Sequence, residues 1–288
     1  MSKQPSLPPL DGAREGYRIP QRTPPPDPTN PVKSAAKTME IIEILKRRGG
    51  ATVGEVATAL GVSKGTASNY LSTLRDGGYV TRLATEEYDV GLRLLDVCTK
   101  SVRGRELLVE ASRHIDALAE KFEGIFTVMA PEHGYGYCLY SRMNTPFISR
   151  NRLAQGTRRY LHCNGPGLAI LSTMDETAVE AIIASRGLKS CESGCQLDCP
   201  LAKHSLELPV EREHLFDRLD RVSERGYAVT DHGQLSCLGV AILGPDGAVV
   251  GSVGVLGPGR MIGGESGPDP SLLEAMKDAA TAIGINIV

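Results

Sequence analysis

Nowhere does the chain string together the roughly 18 apolar residues that a membrane-spanning helix needs, so no membrane span is expected. Tryptophan is absent and phenylalanine occurs four times in 288 residues, yet 41% of the residues are apolar, enough for a core in one or two domains. The opening Met1–Leu10 lacks the apolar segment of a secretory signal, which gives the expectation of a cytoplasmic protein. G-x-S-x-G, phosphate-loop and H-E-x-x-H patterns are all missing. The adjacent His162 and Cys163 would point apart on a strand or helix start, a poor nucleophile–base pair, so no enzyme is expected. Seven cysteines, an odd number, suggest reduced thiols rather than a disulfide framework.

The net charge of −2 hides an uneven distribution. Residues 33–82 hold eight basic and four acidic side chains, whereas residues 83–288 hold 20 basic and 27 acidic ones. That asymmetry suggests a small module that meets a polyanion, attached to a larger one that does not. Residues 1–32 are different again: nine of the 18 prolines fall there, with little apolar material, and a disordered tail is expected.

Residues 33–91 read as a winged helix-turn-helix. Ser34 is expected to cap a first helix with Ala35, Met39, Ile42 and Leu45 on one face, stopped by Gly49-Gly50. Thr52 and Glu55 fit a capping box for a short second helix. After the Gly61-Val62 turn, Ser63 caps a third, with Ala67, Leu71 and Leu74 inward. The period then changes to two, and Tyr79–Arg82 and Glu87–Val90 read as the wing's hairpin. Residues 92–122 read as connector helices bent near Arg103-Gly104. Residues 123–288 mix strands and helices, and the fold class expected is α+β. The expected strands there are Ile125–Met129, Tyr137–Arg142, Val240–Leu243 and Ala248–Leu256.

The third helix's outward face offers short or cationic residues, which let a backbone approach a groove floor. Asn69 is a candidate for bidentate contact to adenine, and Ser68 for several base edges; Ser72 and Thr73 share that face. Ser63 and Gly65 sit at the helix start, where a phosphate meets free N–H groups. Lys64, Thr66 and the wing's Arg82 are candidate phosphate contacts. Double-stranded DNA, read as two-fold related half-sites, is the expected partner.

Val62–Ala67, Leu71–Leu74, Gly78–Val80 and Tyr88–Leu94 together resemble the IclR family of transcriptional regulators. Gly156–His162 with Gly167–Leu171, Arg225–Tyr227, Cys237–Ile242 and Val253–Pro258 are similar to the same family's second half. The resemblance implies a repressor or activator whose DNA-binding domain is joined to a GAF-like α/β effector-binding domain. It also implies a small effector, commonly an organic or sugar acid, and assembly as a homodimer or dimer of dimers. Carried across, the effector site falls at Met129, His162, Cys163, Gly165, Pro166, Asp231, Cys237, Gly254 and Leu256. A helix beginning at Gly165 would present free N–H groups to an anion. This chain departs from the family at Leu168, where Lys is usual, at Asn69, where Arg is common, and at Gly254 and Leu256, where Ser is frequent. Those departures imply an effector unlike short keto acids.

Residues 190–204 form a cysteine-rich insert that the family pattern does not demand. Cys191, Cys195, Cys199 and His204 have the spacing C-x3-C-x3-C-x4-H. Three readings stand: a structural zinc site, an iron–sulfur cluster or thiol redox sensor, or a surface loop of unliganded thiols. The metal and redox readings would make this a regulator gated through the insert.

Overall fold

The computed structural model describes residues 32–99, 102–145, 155–188, 211–232, 234–262 and 267–287. They fall in two compact units that divide between Arg105 and Glu106. The expected proline-rich tail and the whole cysteine insert lie outside the described residues.

The first unit holds α1 (Lys33–Arg48), α2 (Val53–Leu60), α3 (Lys64–Asp76), the hairpin β1 (Val80–Arg82) and β2 (Tyr88–Val90), and α4 (Arg93–Thr99). Its core is Ile41, Leu45, Val56, Ala67, Leu71, Leu74, Val80 and Tyr88, so the inner positions expected for α3 are the buried ones. In α1 the buried face is Ile41, Ile44 and Leu45, whereas Ala35 and Met39 are exposed. Of the expected stripe, Leu45 is buried and Ile42 packs against the core, while Ile41 and Ile44 take the places of Ala35 and Met39. Nor does Ser34 cap α1: the cap position is Val32, and Ser34 lies inside the first turn. The capping box of α2 forms as expected, with Thr52 Oγ1 accepting from Glu55 N and Glu55 Oε2 accepting from Thr52 N. Such caps contribute roughly 0.5–2 kcal/mol each. At Gly61 the backbone turns left-handed with φ +63°, a conformation cheap only for glycine, and this sharp corner aims α3 across α2.

The second unit contains most of α5 (Val102–Lys121), then β3 (Gly124–Glu132), β4 (Tyr135–Asn144), β5 (Arg158–Tyr160), α6 (Gly165–Leu171) and α7 (Glu176–Arg186). It continues with α8 (Arg212–Arg225), β6 (Ala228–His232), β7 (Leu235–Leu243), β8 (Val249–Pro258), the short α9 (Gly259–Ile262) and α10 (Pro270–Asn286). The expected connector is two helices: α4 ends at Thr99 and α5 begins at Val102, with Arg103-Gly104 in its first turn.

Six strands pair antiparallel in the order β5-β4-β3-β8-β7-β6. Alternation along each strand sends side chains to opposite faces. On one face Phe126, Val128, Leu238, Val240, Val253 and Val255 pack against Leu107, Ala111 and Ile115 of α5 and Leu272, Met276 and Ile283 of α10. On the other, Met129 and Ala228 belong to a second apolar cluster with Leu168 of α6, Val179 of α7 and Leu215, Leu219 and Val222 of α8. This helix–sheet–helix layering is the expected α+β architecture.

The contact of α6 with the sheet is unusually close. A Cβ on Gly239 would lie 2.3 Å from the carbonyl carbon of Gly165, and one on Gly254 would lie 2.3 Å from Pro166 Cγ. Backbone meets backbone there, and glycine is required on β7 for that reason.

Candidate functional site

On the first unit, α3 buries Ala67, Leu71 and Leu74 and leaves the opposite side uncovered. Ser63, Lys64, Gly65, Thr66, Asn69 and Thr73 are exposed, with Ser68 and Ser72 half-exposed between them. Their hydrogen bonding separates them into two groups. The Ser63 hydroxyl accepts from Thr66 N at 3.1 Å and lies 2.9 Å from Thr66 Oγ1, so both side chains serve the cap. Thr73 Oγ1 donates back to the Asn69 carbonyl at 2.9 Å. Lys64, Ser68, Asn69 and Ser72 make no side-chain hydrogen bond among the described residues, so their polar groups are unengaged.

The wing is less available. Arg82 forms an ion pair with Glu86, and its guanidinium also lies 5.9 Å from the centre of the Tyr88 ring. Glu86 itself sits at φ +69° in the tip of the hairpin. A phosphate contact by Arg82 would require it to leave Glu86, an exposed pair of the kind worth about 0–1 kcal/mol.

In the second unit the expected effector residues do not all gather. The register pairs Ile125 with Leu256, Leu256 with Cys237, and Cys237 with Thr230, one row across four strands. The next row is Thr127, Gly254, Gly239 and Ala228. The start of α6, with Gly165 and Pro166, packs on this second row. Thus Cys237, Gly254, Leu256, Gly165 and Pro166 are brought together, and His162 and Cys163 lie buried in the 3-10 turn just ahead of α6. Met129 lies two residues along β3 from Thr127, in the apolar cluster. Asp231 does not join them. Strand alternation sends it to the opposite side from Thr230 and His232, where it is exposed and accepts a 2.6 Å hydrogen bond from Ser236 Oγ.

The expected free amides of α6 are also engaged. Gly165 N donates to Thr230 Oγ1 at 3.1 Å, Pro166 has no N–H, Gly167 N donates to Asn164 Oδ1 at 2.8 Å, and Leu168 N donates to the Asn164 carbonyl. A helix end buried in protein must satisfy its donors internally, and here it does so, leaving none for an anion. Leu168, at the position where the resemblance leads one to expect Lys, is fully buried in the apolar layer, so its role here is packing.

Two residues absent from the expected set belong to this face. Thr230 Oγ1 lies 3.0 Å from His232 Nε2, and both side chains are buried. Since Thr230 Oγ1 accepts from Gly165 N, this hydroxyl ties β6 to the start of α6. Strand alternation in Ala228–His232 was the available signal, but so short a segment carrying Asp and His does not announce a strand. Thr127, buried on β3 beside Gly254, is the third residue missed.

Buried thiols occur here as well. Cys138 on β4 is pushed up to about 11 by burial, so its sulfur is a thiol at neutral pH. Cys191, Cys195, Cys199 and His204 lie outside the described residues, and among the described residues no three His, Cys, Asp or Glu side chains converge as metal ligands. No helix among the described residues is long and apolar enough to cross a membrane.

Comparison with known proteins agrees with both units. Residues 34–84 match the IclR helix-turn-helix domain, and residues 99–285 match the bacterial transcriptional regulator IclR C-terminal domain. A glycerol operon regulatory protein of Streptomyces coelicolor is 28% identical over 258 residues, covering 88% of this chain and 94% of that one. A probable HTH-type transcriptional regulator, ArcR, of Halobacterium salinarum is 26% identical over 234 residues, covering 79% and 83%. Among solved structures, an IclR homolog from Microbacterium hydrocarbonoxydans complexed with 4-hydroxybenzoate superposes with a TM-score of 0.71 at 15% identity, covering 89% of this chain and 98% of that one. An IclR transcriptional regulator from Alicyclobacillus acidocaldarius gives 0.70 at 20% identity, covering 90% and 100%. With a helix-turn-helix whose polar face is uncovered, a helix-layered antiparallel sheet behind it in sequence, and both family domains matched in order, this chain belongs to the IclR family of transcriptional regulators, a non-enzymatic family.

Proposed function

We propose that this regulator binds a two-fold symmetric operator as a homodimer or dimer of dimers, and that a small organic molecule held on the α6-facing side of the second unit's sheet controls its affinity for DNA. The observation that carries the DNA half is the row of unengaged polar side chains, Lys64, Ser68, Asn69 and Ser72, on the outer face of α3. The effector half is supported by the gathering of Ile125, Thr127, Cys237 and Leu256 beside the glycine joint of α6. Organic and sugar acids are the class to screen first; the Microbacterium relative carries 4-hydroxybenzoate. The amides of α6 are not what holds the acid group, because they are already bonded.

Gating requires the effector to bind one of two states more tightly than the other. A thermal-shift screen over organic acids, followed by DNA-binding titrations on a palindromic duplex, tests both halves. A true effector at 100 times its dissociation constant stabilises the protein by roughly 2.7 kcal/mol and changes duplex affinity. A purified protein that prefers no duplex over random DNA at physiological salt would overturn the reading. Serine at Cys191, Cys195 and Cys199 leaves the effector response intact. Loss of the response in that variant would transfer gating to the insert, and metal analysis would then identify zinc or iron.

A further inference from the structure

Near the β3–β4 hairpin of the second unit, three side chains form a cluster of cations and a phenol with no carboxylate partner among the described residues. Tyr135 opens β4, Arg158 lies in β5 and Arg186 ends α7. The Arg186 guanidinium lies 4.6 Å from the centre of the Tyr135 ring and that of Arg158 lies 5.1 Å from it. Both cations are therefore drawn to one aromatic ring, and their centres are no more than about 10 Å apart. The ring also packs against the buried Tyr160, whose centroid is 5.3 Å away with the rings tilted by 45°. Gly134, at φ +76°, lets Arg186 lie close, since a Cβ there would sit 3.1 Å from Arg186 Cγ.

No carboxylate pairs with these cations among the described residues. Among the described residues neither arginine has a carboxylate within 4.0 Å; the nearby Glu132 is turned to His133, with Oε1 3.9 Å from Nε2. Arg186 Nε donates to the His133 carbonyl at 2.8 Å, which fixes the plane of the guanidinium and leaves its terminal nitrogens unengaged. The Tyr135 hydroxyl has no hydrogen-bond partner among the described residues either. All three side chains are half-buried, so both charges are partly withdrawn from water without a carboxylate partner among the described residues. Two cations that share one ring in that setting, with centres within about 10 Å, are favoured by an anion that reaches both, and planar guanidinium groups suit an oxyanion.

We infer that Tyr135, Arg158 and Arg186 form a binding site for an oxyanion, a carboxylate or phosphate group of a small molecule. It adjoins the 3-10 turn ahead of α6 through Tyr160, whose ring lies 5.6 Å from that of His162, and so it would supply the acid-binding end of the effector reading proposed above. Each arginine offers a paired-donor edge and the tyrosine one further donor, which suits a three-oxygen or two-oxygen anion but not chloride.

The test is titration of the full-length chain with inorganic phosphate and, separately, benzoate, by calorimetry at ionic strength held constant with chloride. Saturable binding of either is expected, and which one binds tells phosphate from carboxylate. Arg158→Gln with Arg186→Gln weakens it by at least about tenfold, as for the loss of charge-assisted hydrogen bonds, and Tyr135→Phe weakens it by a few-fold. Phosphate held elsewhere by the basic first unit would be unaffected by these variants. If the double variant fails to fold by circular dichroism, Arg158→Lys and Tyr135→Phe carry the test, because both keep volume at the site. Equal affinity in wild type and variants overturns the assignment, as does the absence of saturable binding at millimolar anion.

Discussion

Two helix beginnings in this chain, α3 and α6, are built from similar local chemistry and end in opposite situations. Both have a polar cap, Ser63 in one and Asn164 in the other, and both carry glycine in the first turn. At α3 the glycine meets open surroundings: a Cβ on Gly65 would find nothing nearer than Ser63 Oγ at 3.9 Å. At α6 a Cβ on Gly165 would lie 2.6 Å from the Cys237 carbonyl oxygen. The same residue type thus marks an approach still open to a partner in one place and an approach already completed in the other. A glycine-rich helix start is consequently no sign of a ligand until the nearest backbone is known.

The largest effect that would break this comparison is on folding. Gly239→Ala drives a methyl group into the Gly165 backbone and destabilises the second unit by about 3 kcal/mol, whereas Gly65→Ala stabilises α3 by roughly 0.5–1 kcal/mol. Urea denaturation of both variants checks it; comparable effects would abolish the contrast. Next comes Thr230→Val, which leaves the buried Gly165 amide without its acceptor and costs about 2 kcal/mol by the same measurement. A neutral result would mean that the amide finds another partner and is free to do so for a ligand.

On the α3 side, Asn69→Ala weakens operator binding by about 1.5 kcal/mol, roughly tenfold, and relaxes preference at one base pair, with the fold unchanged. Thr73→Ala, whose hydroxyl is already returned to the helix, changes binding far less. Fluorescence anisotropy across a set of duplexes separates them. Smallest is a pH effect at the capping box. The Thr52 amide, and then its hydroxyl, hold the Glu55 carboxyl below the usual carboxylate range. A folded-state value below the unfolded one contributes stability that is present above the unfolded value and lost as pH falls through the folded one. Acidification below about pH 4 therefore loosens α2, and Glu55→Ala removes that dependence; amide exchange across pH measures it.

What was legible in the sequence follows from how far apart the partners lie. The caps of α2 and α3, the turn at Gly61 and the wing are settled within a few residues, and the helix-turn-helix was readable in full apart from the start of α1. There the helix is turned so that Ile41 and Ile44 are buried and Ala35 and Met39 are exposed, a choice that depends on the rest of the unit's core. The α6 region was not readable in the same way. Its amide partner Thr230 is 65 residues downstream, on a five-residue strand that local pattern does not reveal. Without β6, the alternation that removes Asp231 from the face and adds Thr230 and His232 could not be applied. Gly239 and Gly254 were visible as glycines and a helix starting at Gly165 was expected, but not that its backbone lies directly against them.

That joint between α6 and the sheet also has a mechanical meaning. Side chains at an ordinary helix–sheet contact can change rotamer and absorb an intruding atom, but a seam of Gly165, Pro166, Gly239 and Gly254 has almost no side chain to rotate. A molecule wedged beside it has to push the helix axis as a unit, so whatever sits at the other end of α6 feels a displacement measured in whole backbones instead of a local repacking.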